Sequence, residues 1–175
     1  HMSNYKEKDY KIFELFQKEW ALVTAGNLDR FNSCTVGWGD MGTLWRRPVA
    51  TVYLHPSRYT CDFCLQNDFF TVSFYPPSCK EALAYMGSHS GRDGNKVEAA
   101  GLTPVTMGNS VTYAEAKMTF LCRKLYQHQF IKEDLAVDIQ EFYKQNPKSF
   151  PPDDVGNWQP HWLFVGEVIN VMERA

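Results

Sequence analysis

Residues 55–60 combine side chains that could hold a phosphate group. Arg58 lies there between the hydroxyls of Ser57 and Thr60, directly after a run of strand-forming residues. A guanidinium stays charged at every physiological pH and presents a rigid fork of donors that matches phosphate oxygens. The alternative interpretation is an ordinary polar loop with Arg58 in solvent.

A second segment with similar chemistry covers residues 88–96 and is rich in turn-forming residues. It precedes a short helical pattern, so backbone amides together with Arg92 and Lys96 could meet an anion there. The alternative is a helix cap with solvated charges. Taken alone, the residues of this segment favour that alternative.

The glycine-rich stretch at residues 37–42 matches the pattern G-x-G-x-x-G, and Asp62 follows about twenty residues later, as in dinucleotide-binding folds. In those folds the third glycine opens a helix within a βαβ unit. Here residues 43–48 lead straight into a strand, which excludes the motif. We predict a glycine-rich loop, either a plain tight turn or one that lets the backbone approach a flat ring closely.

The cysteines and histidines form no recognisable reactive set. Five scattered cysteines do not make a disulfide framework. Cys61 and Cys64 form a C-x-x-C pair, but a zinc site needs further ligands and a thioredoxin-like site needs a βαβ context. We predict two ordinary thiols on a short helix or turn, with any redox role left open, and we predict no metal site. The histidines are scattered, and no catalytic triad can be recognised.

Composition limits the classes of function. With 44% hydrophobic residues, 175 residues suffice for one packed domain, predicted over residues 1–175, and 15% aromatic residues suit the stacking of a flat ligand. A net charge of −2 with interspersed signs predicts binding to neither nucleic acid nor membrane. We expect a cytoplasmic protein, because no secretory signal is visible, and we interpret His1 and Met2 as the remnant of a purification tag.

The elements that must position these residues are mostly strands. Strong strand patterns cover residues 48–55, 69–75 and 162–169, with a weaker one at 34–38; residues 111–126 fit one strand or a hairpin, with 114–117 as an alternative helix. Helices are predicted at 6–20, at 78–86 after a capping box of Ser78 and Glu81, at 93–100 before Gly101, and at 133–145, with a turn at 25–29. This distribution predicts a mostly β, antiparallel barrel with short helices at its rim.

An ordered set of segments resembles the flavin-reductase-like family, specifically its flavoredoxin-type branch. The resemblance covers nearly all of the chain after the first predicted helix. Its segments are 25–27, 32–39, 44–45, 48–50, 57–60, 70–74, 90–93, 96, 101–103, 122–126 and 166–167. The chain departs from the family pattern at Leu54 and at Asn95, where relatives commonly carry arginine and aspartate.

The resemblance implies a split β-barrel, a homodimer, and one non-covalent FMN per protomer near the dimer interface. The segment along the isoalloxazine ring would be Asn32, Ser33, Cys34, Thr35, Val36, Gly37 and Trp38, and Trp45 belongs to the same set of expected FMN contacts. The phosphate and ribityl contacts would come from Ser57, Arg58, Tyr59, Thr60, Ser90, Gly91, Arg92 and Lys96.

The function that the resemblance implies is that of an oxidoreductase. NADH or NADPH would reduce the flavin, which would pass electrons to a small-molecule or protein acceptor. The cofactor carries such chemistry, so the absence of a recognisable acid–base cluster is compatible with it. Two alternatives stay open: an electron carrier that exchanges electrons with a protein donor, and a binding module that has lost FMN.

Overall fold

The computed structural model describes residues 4–174, so the predicted tag remnant lies outside the described residues. The strands are β1 (Ala21–Asn27), β2 (Arg30–Val36), β3 (Gly39–Leu44), β4 (Arg47–Leu54), β5 (Phe69–Phe74), β6 (Pro104–Met107), β7 (Ser110–Tyr113), β8 (Met118–Gln129) and β9 (Trp162–Glu173). The α-helices are α1 (Ile12–Glu14), α2 (Tyr59–Gln66), α3 (Lys80–Ser88), α4 (Lys96–Ala100) and α5 (Val137–Gln145). Short 3-10 turns cover Tyr5–Glu7, Pro77–Cys79, Gly91–Asp93 and Lys132–Asp134.

The larger sheet curls until its two edges come close together. Its strand order is β2-β1-β5-β8-β9-β4-β3, with β6 and β7 paired separately, and every pairing is antiparallel. β2 and β3 are the two edges, yet only Gly37 and Trp38 separate them along the chain. Two residues span only a few ångströms, so the edges must lie near each other without pairing. We call this opening the seam.

Hydrophobic residues are buried on both faces of the central strands. In β5, Phe70 and Phe74 pack inside the barrel with Phe120, while Thr71 and Ser73 bond outward to the backbone of neighbouring strands. A second apolar cluster lies under the helices and the small sheet; it contains Leu22, Tyr75, Leu83, Met86, Leu102, Tyr113 and Ala116. Both clusters are tightly buried, and each large apolar side chain removed from water contributes about 1.5–3 kcal/mol.

The strongest sequence patterns give the expected elements. Strands at residues 48–55, 69–75 and 162–169 are confirmed as β4, β5 and β9, and the helix at 78–86 is confirmed as α3. Gly101 ends α4 with φ of 75°, as predicted for a left-handed C-cap. The predicted capping box is wrong: Ser78 lies inside a 3-10 turn, so α3 begins at Lys80 without a side-chain cap.

The weaker patterns fail where pairing between strands overrides local preference. The predicted glycine-rich loop contains β3, an edge strand that pairs with β4 along its whole length. The expected turn at 25–29 is mostly β1, and only Leu28 and Asp29 remain as the turn. Residues 111–126 form neither one strand nor a hairpin: they belong to β7 and β8, which lie in different sheets, with a turn rather than a helix at 114–117.

The predicted helix at 6–20 is broken into short pieces. Only Ile12–Glu14 is α-helical, and Leu15–Glu19 continues as a π-helical turn. This turn buries the neighbouring residues Leu15 and Phe16, whereas Phe13 is 89% exposed. The helical spacing of apolar residues in this segment therefore did not predict which of them are buried against the barrel.

Gly166 in β9 marks the tightest approach inside the barrel. A methyl group at this position would lie 2.6 Å from both Cys122 Cβ and the Phe70 ring. We expect Gly166→Ala to lower the free energy of unfolding by about 1–3 kcal/mol, because the added carbon overpacks a closed core. Urea unfolding followed by tryptophan fluorescence measures this change.

Gly42 in β3 is the matched control, since a methyl group there would meet no atom of the described residues within 4 Å. Gly42→Ala should leave stability unchanged or raise it by up to about 1 kcal/mol, because alanine loses less conformational entropy than glycine. An equal loss of stability in both variants would contradict the packing argument.

Candidate functional site

Two neighbouring cavities share Arg58 as a common wall. The first, of about 170 Å³, opens at the seam; this seam cavity is lined by Cys34, Thr35, Val36, Gly37, Trp38, Tyr53, Leu54, His55, Arg58, Ser149, Phe150 and His161. The second, of about 180 Å³, lies among the loops; this loop cavity is lined by Asn32, Ser57, Arg58, Tyr59, Thr60, Gly87, Ser88, His89, Ser90, Gly91 and Lys96. Most of the residues predicted from the sequence line one or the other.

A larger cavity, of about 650 Å³, lies elsewhere, between the N-terminal segment and the β3–β4 hairpin. Its walls include Tyr5, Tyr10, Met41 and Phe120 but none of the predicted site residues. The candidate site is therefore chosen by the chemistry of the residues that line a cavity and not by the volume of the cavity.

Arg58 is anchored to the end of a helix. It precedes α2, and its Nη1 donates to the carbonyl oxygen of Gly87 at 2.8 Å while Nη2 lies 3.4 Å from that of Met86. These carbonyls belong to the last turn of α3, where no helical amide is available to bond them and the helix dipole is negative. The interpretation of Arg58 as a solvated side chain is therefore wrong.

Lys96 reaches the same helix end from the other side. Its side chain is buried, and Nζ donates to the carbonyl oxygens of Met86 at 3.1 Å and His89 at 3.0 Å. Burial, with a further contribution from the charge of Arg58, lowers the pKa of Lys96 to about 8. Two cations thus lie close together at the wall of the loop cavity.

Neither cation forms an ion pair within residues 4–174. The nearby carboxylate of Asp62 instead pairs with Arg92 at 2.8 Å. Guanidinium and ammonium groups carry five and three N–H donors, and the carbonyl contacts of Arg58 and Lys96 leave some of these donors for a ligand. The loop cavity consequently has the electrostatic character of an anion site.

The N-terminus of α2 adds further donors to the loop cavity. No side chain within residues 4–174 caps this helix, and the first amides of a helix lack an intrahelical acceptor. The buried Thr60 hydroxyl accepts from Asn32 Nδ2 at 2.7 Å, so its own proton can be donated elsewhere. Gly91 is required beside them, because a methyl group there would lie 2.0 Å from Asn32 Oδ1.

The seam cavity is lined mainly by neutral and aromatic groups. On the strand side, Trp38 follows the end of β2; the opposite wall comes from residues 146–161, which we call the capping segment. The Trp38 ring lies 4.7 Å from the ring of His161 and 5.7 Å from that of Phe150, measured between centroids. Burial, together with the nearby His55, lowers the pKa of His161 to about 3, so this imidazole is neutral at physiological pH.

Three predicted residues lie apart from these cavities. Ser33 faces the other side of the sheet, where its hydroxyl lies 2.6 Å from those of Thr24 and Tyr113. Arg92 is held by Asp62 and the carbonyl of Ser57. Trp45 lies in the β3–β4 turn, 56% exposed and with φ of 52°.

Sequence reasoning missed several residues that line the seam cavity. They are Tyr53 of β4 and Ser149, Phe150 and His161 of the capping segment, while His55 entered only as the first residue of the segment 55–60. No local pattern links residues 149–161 to β2, because the contact depends on how α5 and β9 are placed in the fold.

Cys61 and Cys64 are buried within α2. Burial raises the pKa of the Cys61 thiol to about 12 and that of Cys64 as well, which disfavours the nucleophilic thiolate. Within residues 4–174, no three His, Cys, Asp or Glu side chains are grouped as metal ligands. No helix in that range has the length and apolar character needed to cross a membrane.

Solved structures share the fold at low sequence identity. An FMN-binding protein from Thermus thermophilus is 24% identical, with a TM-score of 0.66 over 89% of this chain and 71% of that chain. A flavoredoxin from Methanosarcina acetivorans is 18% identical, with a TM-score of 0.66 over 89% and 68%. An NADH:FAD oxidoreductase from Streptomyces globisporus is 14% identical, with a TM-score of 0.64 over 94% and 79%. These likenesses confirm the predicted split β-barrel.

The sequence itself matches a described protein family over almost its full length. No curated protein matches the chain. The family described as "Flavin reductase like domain" matches residues 13–175 and thus includes both candidate cavities. The chain therefore belongs to the flavin-reductase-like domain family.

Proposed function

We propose that this chain binds FMN non-covalently across the two cavities and acts as an oxidoreductase of the flavin reductase or flavoredoxin type. The observation that carries the proposal is the pair of cations, Arg58 and Lys96, that face the loop cavity without a carboxylate partner among residues 4–174. Such a pair is favourable only when an anion or the dipole of a helix end compensates its charge. Here the carbonyls of α3 compensate it in part, and a phosphate would complete the compensation.

The residues present fit the two ends of FMN. The phosphate would be held by Arg58, Lys96, the Thr60 hydroxyl and the first amides of α2. The flat ring would enter the seam cavity beside the backbone of residues 34–38, facing Trp38 and Phe150. Arg58 lines both cavities, so a single ligand with a charged end and a flat neutral end meets matching surfaces.

The protein's contribution to the chemistry is position and electrostatics. Bound FMN supplies the capacity to accept and donate electrons. β2 is an edge strand, so its amides on the side away from β1 have no partner among the described strands and can stabilise negative charge near the ring. The aromatic wall of the capping segment excludes water from the same space.

NADH or NADPH is the proposed electron donor, and a small molecule or a protein the acceptor. The similarity to an NADH:FAD oxidoreductase supports the enzyme, whereas the similarity to a flavoredoxin supports a second candidate, an electron carrier without the nicotinamide step. The homodimer implied by the resemblance stays a prediction, for which light scattering of the flavin-loaded protein is the measurement.

We expect the protein to take up FMN with quenching of flavin fluorescence, because aromatic rings line the seam cavity. Anaerobic addition of NADH or NADPH should then bleach the flavin absorbance if the protein is an enzyme. Bleaching only by a protein donor would favour the electron carrier. A protein that stays colourless with added FMN would contradict both and favour a module for another small ligand.

Arg58→Ala should weaken FMN binding about ten- to a hundredfold, because a charge-assisted hydrogen bond to phosphate contributes about 1.5–3 kcal/mol. Riboflavin lacks the phosphate, so its affinity should change by no more than about twofold. Calorimetric titration of both flavins measures the difference. A similar loss for both flavins would mean that the substitution damages the loop rather than a phosphate contact.

Arg92→Ala is the matched control for this substitution. Arg92 is also an arginine of the predicted phosphate loops, but its guanidinium is paired with Asp62 and does not line the loop cavity. The FMN affinity of this variant should stay within about threefold of the parent, since exposed ion pairs contribute little. A loss equal to that of Arg58→Ala would contradict the assignment of Arg58.

The affinity for FMN should also fall as the pH rises through about 8. Lys96 has its pKa lowered to about 8 in the ligand-free protein, so it is charged at pH 7 and loses its proton above that value. A phosphate monoester remains doubly charged across this range. The loss of the positive charge of Lys96 should therefore lower the affinity for FMN about tenfold between pH 7 and 9.5. Riboflavin titrations over the same range should show no such step.

Two lysine variants check the origin of the pH step. Lys96→Met should remove it. Lys124→Met should retain it, although the pKa of Lys124 is also lowered by burial and its Nζ also bonds helix-end carbonyls, those of Cys64 and Leu65. Persistence of the step in Lys96→Met would assign it to another group.

A further inference from the structure

His55 is a buried histidine at the junction of the two cavities. It directly follows β4, is only 3% exposed, and contributes to the wall of the seam cavity. It also precedes the turn that carries Ser57 and Arg58, and its carbonyl oxygen accepts from the Arg58 amide at 3.0 Å. A buried polar ring needs partners for both nitrogens, and His55 has them.

The two ring nitrogens of His55 have different roles. Nδ1 lies 3.2 Å from the backbone nitrogen of Ser57 and 2.7 Å from Ser57 Oγ. An amide N–H can only donate, so Nδ1 is the acceptor and the ring proton is on Nε2. Nε2 then donates to the carbonyl oxygen of Gln159 at 2.9 Å.

Each of these bonds holds a different half of the candidate site. The Nδ1 bond fixes the turn at Ser57, whose neighbours line the loop cavity. The Nε2 bond holds the capping segment, which carries Phe150 and His161 to the seam cavity. The His55 ring also packs at 5.6 Å from Phe150 and 5.2 Å from His161, measured between ring centroids.

Besides its ring contacts, the capping segment is bonded to β8, to α5 and to His55. Its own hydrogen bonds centre on Asp153, which accepts from the amides of Val155 and Asn157 and from the Gln159 side chain. Gln129 of β8 bonds Gln159 and Pro160, the Phe130 amide donates to the carbonyl oxygen of His161 at 3.1 Å, and Tyr143 of α5 also bonds His161. His55 supplies the tether on the side of the loop cavity.

We propose that His55 is a positioning residue that fixes the aromatic wall of the seam cavity relative to the phosphate-binding turn. The inference rests on the proposed function, since it concerns how the two ends of one flavin are held at the right separation. The Nδ1 bond should control the preference for FMN over riboflavin. The Nε2 bond should control the affinity that both flavins share.

Two substitutions separate the tethers, because each retains a polar atom near one ring nitrogen. His55→Asn places an acceptor near the position of Nδ1 and loses the bond to Gln159. His55→Gln places a donor near the position of Nε2 and loses the bond to Ser57. Titrations with FMN and riboflavin, and hydrogen exchange of the flavin-free proteins, are measured for both variants.

The expected results differ in kind. His55→Gln should reduce the preference for FMN over riboflavin about two- to tenfold and leave riboflavin affinity within about twofold, as expected for the loss of one neutral hydrogen bond. His55→Asn should lower the affinities for FMN and riboflavin by a similar factor and so keep the preference for FMN. It should also speed hydrogen exchange of the amides in the capping segment. His128→Asn is the control; it replaces an exposed histidine of β8 and should match the parent.

The inference is overturned if the Asn and Gln variants behave alike, or if both match the parent. If the parent itself binds no flavin, the proposed function fails, while hydrogen exchange still reports whether His55 tethers the capping segment. Faster exchange in His55→Asn but not in His55→Gln would then support the tether, and equal exchange in both would reject it.

Discussion

The end of α3 is the constraint on which the candidate site depends. Its last carbonyl oxygens have no helical amide to bond, and in a packed protein such groups must find other donors. Arg58 and Lys96 supply them, and in doing so they join the start of α2 and the start of α4 to the end of α3. Carbonyls compensate positive charge only in part, so the contact that stabilises the fold also leaves an electropositive cavity.

The seam provides the other half of the site for a topological reason. β2 and β3 are neighbours in sequence, but each pairs only on its other side, with β1 and with β4. A barrel closed at this point would have no space for a flat ligand. The gap is instead covered by the capping segment, whose aromatic rings face Trp38 across the seam cavity.

The two halves differ in polarity, and the difference follows from what surrounds them. Helix ends meet around the loop cavity and bring dipoles, amides and cations together. Strand backbone and aromatic rings surround the seam cavity, and burial keeps its histidines neutral by lowering their pKa. His55 lies between the halves with one nitrogen bonded to each side. An elongated ligand with one anionic end and one flat neutral end would therefore be oriented in a single direction.

The sequence by itself determined the features that depend on near neighbours along the chain. Alternating β-branched residues identified β4, β5 and β9, Gly101 identified a helix end, and the ordered motifs identified the family. The tertiary structure alone decided which side chains meet. It turned Ser33 away from the seam, paired Arg92 with Asp62, and brought Phe150 and His161 to the seam cavity across more than a hundred residues. Strand register and burial fix such contacts, and neither can be deduced from local spacing.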